Sequence, residues 1–207
     1  MNKTGIEWCD YTWNPIVGCS PASAGCDNCY AEVISKRFHL PWGKPHFMPD
    51  RLDQPAKVKK PGRMFVCSMS DMFHEGVNPA WRQDIYQAML KAPWHQYIIL
   101  TKRPCNIKRF EILGGVWVGV TIESNAYRYR FDALETVCDN DVLFVSAEPM
   151  IGPVDLGSFT PSWVIAGPET GPKARECQDA WIESLATESP CFFDKRGHVG
   201  ARREWPA

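Results

Sequence analysis

Three cysteines near the start of the chain have the spacing of metal ligands: Cys19, Cys26 and Cys29, in the run G-C-S-P-A-S-A-G-C-D-N-C-Y from Gly18 to Tyr30. Six residues separate the first pair and two the second. Pro21, Gly25, Asp27 and Asn28 are turn formers, so the thiols belong to one tight loop rather than to a helix or strand. Thiolates held this way suit an iron–sulfur cluster or a zinc ion, both of which take soft sulfur donors. Three cysteines on a four-iron cluster leave one iron open to a further ligand. A closed structural zinc site needs a fourth ligand, for which Cys9, His39 and His46 are the nearby choices.

The other chemistry-bearing residues follow short apolar runs. Ser68, Ser70 and Asp71 follow R-M-F-V-C, and Thr101, Lys102 and Arg103 follow Y-I-I-L. Thr121, Glu123 and Ser124 follow V-G-V, and Ser146 and Glu148 follow L-F-V. Glu169 and Thr170 come after W-V-I-A, and Asp194 and Lys195 after C-F-F. Apolar runs of this length read as buried strands, and the segments between them carry helical periodicity. The expected strands are 10–17, 63–67, 96–100, 116–120, 142–145, 163–166 and 191–193, and the expected helices 30–38, 79–91, 106–113, 125–137 and 177–188. Asp27 or Asn28 is the expected cap of the first helix. Residues 40–62 read as a long irregular loop, with Trp42, His46 and Phe47 as lid residues.

Strands alternating with helices imply parallel pairing through right-handed crossovers, and strands apolar throughout imply a sheet covered on both faces. The fold class expected is α/β, a partial (β/α)6-7 TIM-like barrel, because 207 residues fall short of the roughly 250 of a complete eight-fold barrel. Residues 1–197 form a single domain on this reading, and 198–207 a short, basic, loosely ordered tail. In such barrels ligands meet the loops after the C-terminal strand ends, where every polar group named above falls.

The opening T-G-I-E-W-C-D-Y-T-W-N-P-I-V-G-C, the loop ending C-D-N-C-Y-A, and S-M-S-D-M-F-H, L-T-K-R-P, G-V-T-I-E, S-A-E-P-M and W-V-I-A-G-P-E-T-G together resemble a family of phage and bacterial proteins of unassigned function. That family is regarded as radical S-adenosylmethionine-like, with distant kinship to spore photoproduct lyase. The usual loop of that superfamily has three residues between its first two cysteines, where this chain has six. The resemblance implies a [4Fe-4S] cluster on Cys19, Cys26 and Cys29, with S-adenosyl-L-methionine as second cofactor. Ser68, Ser70 and Asp71 would stand near its amino group, Thr121, Glu123 and Ser124 near ribose or carboxylate, and Ser146 and Glu148 in the adenosine pocket. Lys102 or Arg103 would meet a carboxylate. The implied chemistry is a 5′-deoxyadenosyl radical acting on a nucleotide, a nucleic-acid base or a similar polar metabolite, supplied by an external electron donor.

A second reading needs no redox chemistry: a zinc-stabilised nucleic-acid-binding or hydrolytic module with Asp71, Glu123, Glu148 and Glu169 as general bases or divalent-metal ligands. Lys102, Arg103, Lys195 and Arg196 would suit a phosphate under either reading, so nucleic acid stays among the expected partners. The remaining thiols Cys67, Cys105, Cys138, Cys177 and Cys191 read as buried small hydrophobes, and His74 as a hydrogen-bonded structural histidine. A formal charge of -1 gives no global field for nucleic acid, and the Lys57–Arg63 and Lys195–Arg203 basic clusters read as solvated faces. The N-terminus has no apolar signal region and no run spans a bilayer, so a cytoplasmic location, that of the host cell for a phage protein, is expected, with no membrane partner.

Overall fold

The computed structural model describes residues 4–109, 111–197 and 201–207. In chain order the elements are β1 (Tyr11–Trp13), β2 (Ile16–Val17), α1 (Tyr30–Arg37), β3 (His46–Phe47), α2 (Gln54–Lys57), β4 (Arg63–Val66) and α3 (Pro79–Leu90). They continue with β5 (Gln96–Thr101), β6 (Trp117–Thr121), α4 (Tyr129–Val137), β7 (Leu143–Ala147), β8 (Trp163–Ala166), α5 (Asp179–Glu188) and β9 (Phe192–Asp194). Seven strands pair in parallel in the order β1-β4-β5-β6-β7-β8-β9, a curled sheet that forms a half-barrel. β2 and β3 form a separate antiparallel pair.

Side-chain alternation along the strands sorts the core into two layers. Phe65, Ile98, Trp117, Phe144, Trp163, Ile165 and Phe193 pack together on the inner face. Their neighbours Val66, Ile99, Val118, Val145, Val164 and Phe192 lie on the outer face, against Ile85 and Met89 of α3, Leu134 of α4, and Ile182 and Leu185 of α5. The inner layer is crowded with rings, and Gly119 of β6 makes room for one of them. It sits in register between Leu100 and Phe144, and a Cβ there would meet the Phe144 ring at 2.5 Å.

Three parallel crossovers carry a full helix over the sheet, α3, α4 and α5, while α1, in the β1–β4 crossover, packs on Val17 and Met69. The β5–β6 and β7–β8 connections carry no α-helix among the described residues. Dropping two helices is how seven parallel strands fit into 207 residues.

The expected strand over 10–17 is broken after Trp13. The Asn14 side chain leaves the sheet to bind the backbone N–H of Met69 at 2.9 Å and the Ser68 hydroxyl at 3.1 Å, and Pro15 has no N–H to continue the ladder. Ile16 and Val17 then turn to β3. Helix α1 is capped at Cys29 rather than at Asp27 or Asn28. The expected helix over 106–113 is replaced by one 3-10 turn at Pro104–Asn106; position 110 within it lies outside the described residues. The irregular stretch 40–62 holds β3, α2 and a 3-10 turn, and Phe47 is stacked on Trp81 at 5.3 Å, in the core rather than in a lid.

The C-terminal residues are docked, not loose; 198–200 lie outside the described residues. Residues 202–204 run antiparallel along the free edge of β9, with Asp194 N–H donating to Arg202 O and Glu204 N–H to Phe192 O. Trp205 donates its indole N–H to Trp8 O at 3.0 Å and lies under the Arg63 guanidinium, 4.1 Å from its ring centroid. Arg203 pairs with Glu7 at 3.0 Å. Segments from both ends of the chain thereby seal the gap between the β1 and β9 edges.

A candidate metal and ligand site at the strand ends

Above the inner aromatic layer, at the C-terminal ends of the strands, lies a cavity of about 420 Å³. Cys19, Cys26 and Cys29 line it together, with Trp8, Phe65 and Leu100, and with Ser68, Ser70, Asp71, Lys102, Arg103, Thr121, Ser146, Glu148, Glu169 and Lys195. The cysteine loop and the strand-end groups read from the sequence therefore meet at one place.

Two of the loop sulfurs face an N–H donor. Ala22 N–H donates to Cys26 Sγ at 3.4 Å, and the Arg103 guanidinium lies 3.9 Å from Cys19 Sγ. Cys29 stands at the N-cap of α1, where burial raises its thiol and the backbone N–H groups of Glu32 and Ala31 oppose the rise. With no metal bound, burial, reinforced by Asp71, pushes the Cys19 thiol up to about 11. Among the described residues no three His, Cys, Asp or Glu side chains are grouped so as to hold a single metal ion. Cys9, a candidate fourth zinc ligand, is buried in the inner aromatic layer, where burial pushes its thiol up to about 12.

The strand-end side chains hold the loop from all sides. Ser70 donates its hydroxyl to Gly18 O at 2.6 Å, and Arg103 donates to Ser20 O at 2.8 Å. Arg103 is itself fixed by Asp71 at 3.4 Å and Glu75 at 2.8 Å. Asp71 also accepts from the Thr101 hydroxyl at 2.7 Å and from the backbone N–H groups of Phe73 and Lys102. Glu123 is fully buried and accepts from Ser23 of the loop, from Lys102, and from Arg130 at 2.7 Å. Burial would raise the Glu123 carboxyl, but Lys102 and Arg130 outweigh it and hold it below the usual range. A Cβ on Gly25 would meet the Glu123 carboxylate at 2.5 Å, so the loop has to carry glycine there.

Sequence reasoning missed the clasp on the opposite side. Arg175 donates to Ala24 O at 2.9 Å, to Asp27 at 3.3 Å and to Glu169, while Asn28 donates to Glu169 at 3.1 Å. Hydrogen bonds from Arg175 hold the Glu169 carboxyl at about 2. Arg175 and Ala24 lie 151 positions apart, so no local pattern could pair them.

Other expectations need correction. Arg196 does not line the cavity; it is bound to Asp194, Asp179 and Glu183. Asp194 is likewise spent on Arg196, and Ser124 lies at the start of a 3-10 turn, outside the cavity lining. Of the five scattered cysteines only Cys67 is buried; Cys105 is exposed, and Cys138, Cys177 and Cys191 are half-buried. Cys67 lines the cavity from a left-handed backbone conformation, φ 60°. His74 is the structural histidine expected: its ring bonds the Ser20 hydroxyl at 2.7 Å and accepts from Gly76 N–H. Burial, with Arg103 nearby, holds its pKa below the ordinary histidine value.

A family of proteins of unknown function, DUF5131, matches residues 3–203. The chain belongs to that family. Comparison with curated proteins gives no match, and comparison with solved structures gives none. In this DUF5131 member the site lies on the C-terminal side of the parallel sheet, where open and closed α/β sheets alike place their ligands. No helix among the described residues is long and apolar enough to cross a membrane.

Proposed function

We propose that this protein is a radical S-adenosylmethionine-type enzyme whose [4Fe-4S] cluster would sit on Cys19, Cys26 and Cys29. The observation that carries the reading is the meeting of three cysteines in the lining of one strand-end cavity, with N–H donors beside the Cys19 and Cys26 sulfurs. Such donors suit anionic sulfur, and they are the groups that tune cluster thiolates in general.

When bound, the cluster and S-adenosylmethionine would supply, with one electron from an external donor, the chemistry for taking a hydrogen atom from the substrate. This chain's own residues position and shield. Arg103, Ser70 and Glu123 fix the loop from one side, and Arg175 with Glu169 from the other. Ser68, Ser70, Asp71, Thr121 and Glu148 ring the space where an amino-acid and ribose group would lie, and Lys195, paired with Glu148, closes the far wall. Trp8, Phe65 and Leu100 keep the floor dry, which protects a reactive carbon radical from water and side reactions.

Anaerobic reconstitution is expected to give a brown protein with about four irons per chain. Reduction with S-adenosylmethionine should then release 5′-deoxyadenosine. Alanine at any one of the three cysteines should abolish both. A colourless protein with one zinc per chain would end this reading in favour of a zinc-stabilised module.

A further inference from the structure

The cations inside the cavity are compensated by the fold. Lys102 is held by Glu123, Arg103 by Asp71 and Glu75, and Lys195 by Glu148. A phosphate there would have to break one of these pairs and strand a carboxylate, so the expected phosphate role of these residues is not met inside the cavity. Apolar area and charge that the fold leaves open lie on another surface.

That surface is the outer side of α1. Five large hydrophobic side chains are exposed among the described residues, and three of them fall within nine positions: Tyr30, Val33 and Phe38, at 46%, 63% and 62% exposure. The other two, Leu90 and Tyr129, stand singly on α3 and α4. Tyr30, Val33 and Arg37 share one face of α1 by their spacing, while Ala31 and Ser35 on the opposite side are buried. Scattered exposed hydrophobics are ordinary, but a contiguous set on one helix face marks a contact surface.

The charges around it are mostly of one sign. Glu32 is the only acidic residue from Tyr30 to Lys44, and Lys36 takes it at 2.8 Å. Arg37 lies over the Phe38 ring, 5.6 Å from its centroid, and Lys44 is exposed beyond the helix. A second copy of this chain would bring these cations against themselves in a two-fold contact, so the complementary occupant is a different, acidic protein. Its position says what it could exchange. Cys29 is the N-cap of α1, Val33 stands about 6 Å further along the helix axis, and Tyr30 also lines the cavity.

We propose that the face of α1 carrying Tyr30, Val33 and Arg37, with Phe38 at its end, docks an acidic one-electron carrier protein. The proposal rests on the function proposed above and deepens it by assigning a partner surface. The carrier gives up one electron and is oxidised, the cluster of that reading takes it and is reduced, and no bond is made or broken. Such a contact belongs to the small, transient class whose strength falls with salt.

The probe is an acidic [2Fe–2S] ferredoxin. Its binding to the full chain, as purified and after anaerobic reconstitution, is read by calorimetry. Its delivery of electrons to the reconstituted protein is read by stopped-flow absorbance, with dithionite as a small-molecule control. Wild type should bind the ferredoxin, about tenfold more weakly when salt is raised from about 50 to about 500 mM. Val33→Asp and Arg37→Glu should each weaken binding and slow ferredoxin-driven reduction by about tenfold, while dithionite reduces both at the wild-type rate. The proposal is overturned if the ferredoxin does not bind at low salt, or if either variant binds like wild type. It also falls if the chain alone sediments as a dimer that Val33→Asp dissolves, since the face would then belong to a second copy. Ferredoxin binding to the protein as purified and iron content after reconstitution are separate readouts, so failure of the docking surface is not mistaken for failure of the cluster reading.

Discussion

The rim and the floor of the cavity are built on opposite plans. At the rim every charged group has its counter-charge, and the pairs grip the cysteine loop: Glu123 between Ser23, Lys102 and Arg130, and Arg175 between Glu169 and Ala24. At the floor the contacts are aromatic, and two polar atoms, Trp8 Nε1 and Ser146 Oγ, are buried without a partner among the described residues. The contrast teaches a division of labour. Charge is used to hold the chain in place, where pairing is strong because water is excluded. Beneath it, close ring packing sets the floor without charge.

The comparison breaks most severely at Glu123. Glu123→Ala strands the buried Arg130 and the half-buried Lys102 and is expected to cost about 3–5 kcal/mol, read as a lowered urea midpoint, and to release the cysteine loop. A loss under about 1 kcal/mol would mean that the buried pairs do not anchor the rim. Next comes the floor itself. Gly119→Ala drives a methyl into the Phe144 ring, with an expected cost of about 1–3 kcal/mol and disturbed aromatic near-ultraviolet circular dichroism; an unchanged spectrum would show that the inner layer is looser than its packing implies.

A smaller effect separates the clasp from the rest of the rim by its pH dependence. The Glu169 carboxyl sits at about 2 instead of 4.5, so the clasp stabilises the fold fully above about pH 4.5 and loses that contribution as the pH falls towards 2. Arg175→Met removes the cause. Its deficit relative to wild type should be constant near neutrality and shrink between pH 4.5 and 2. A deficit independent of pH in that window would place the role of Arg175 in packing alone. The smallest effect is on the stability of Ser146→Ala, expected within about 0.5 kcal/mol of wild type because the hydroxyl is buried without a partner among the described residues; a clear loss would mean that it is bonded within the fold.

Much of this arrangement was legible in the residues. Continuous apolar runs such as Y-I-I-L and W-V-I-A gave parallel strands, because such runs need cover on both faces, and turn formers placed the three cysteines on one loop. What escaped was set by partners far along the chain. Asn14 looked like part of a strand until Met69 and Ser68 were seen to claim its side chain. Lys195 looked like a phosphate ligand because the sequence does not show that Glu148 faces it. The helix expected near Asn106 failed because its polar residues answer elsewhere: Asn106 bonds Phe73 O, and Glu111 pairs with Arg82.

The bond from Trp205 to Trp8 spans 197 positions. Contacts of such separation form late, since the loop they close is the longest available. Before that contact forms, the β1 and β9 edges are not yet joined. On the function proposed above, cluster loading at that stage would meet an open trough, and loading afterwards a cavity covered along that side. Chains truncated at Gly197 should accordingly take up iron faster than the full chain and lose it faster to a chelator, and equal rates would show that the seam has no part in access.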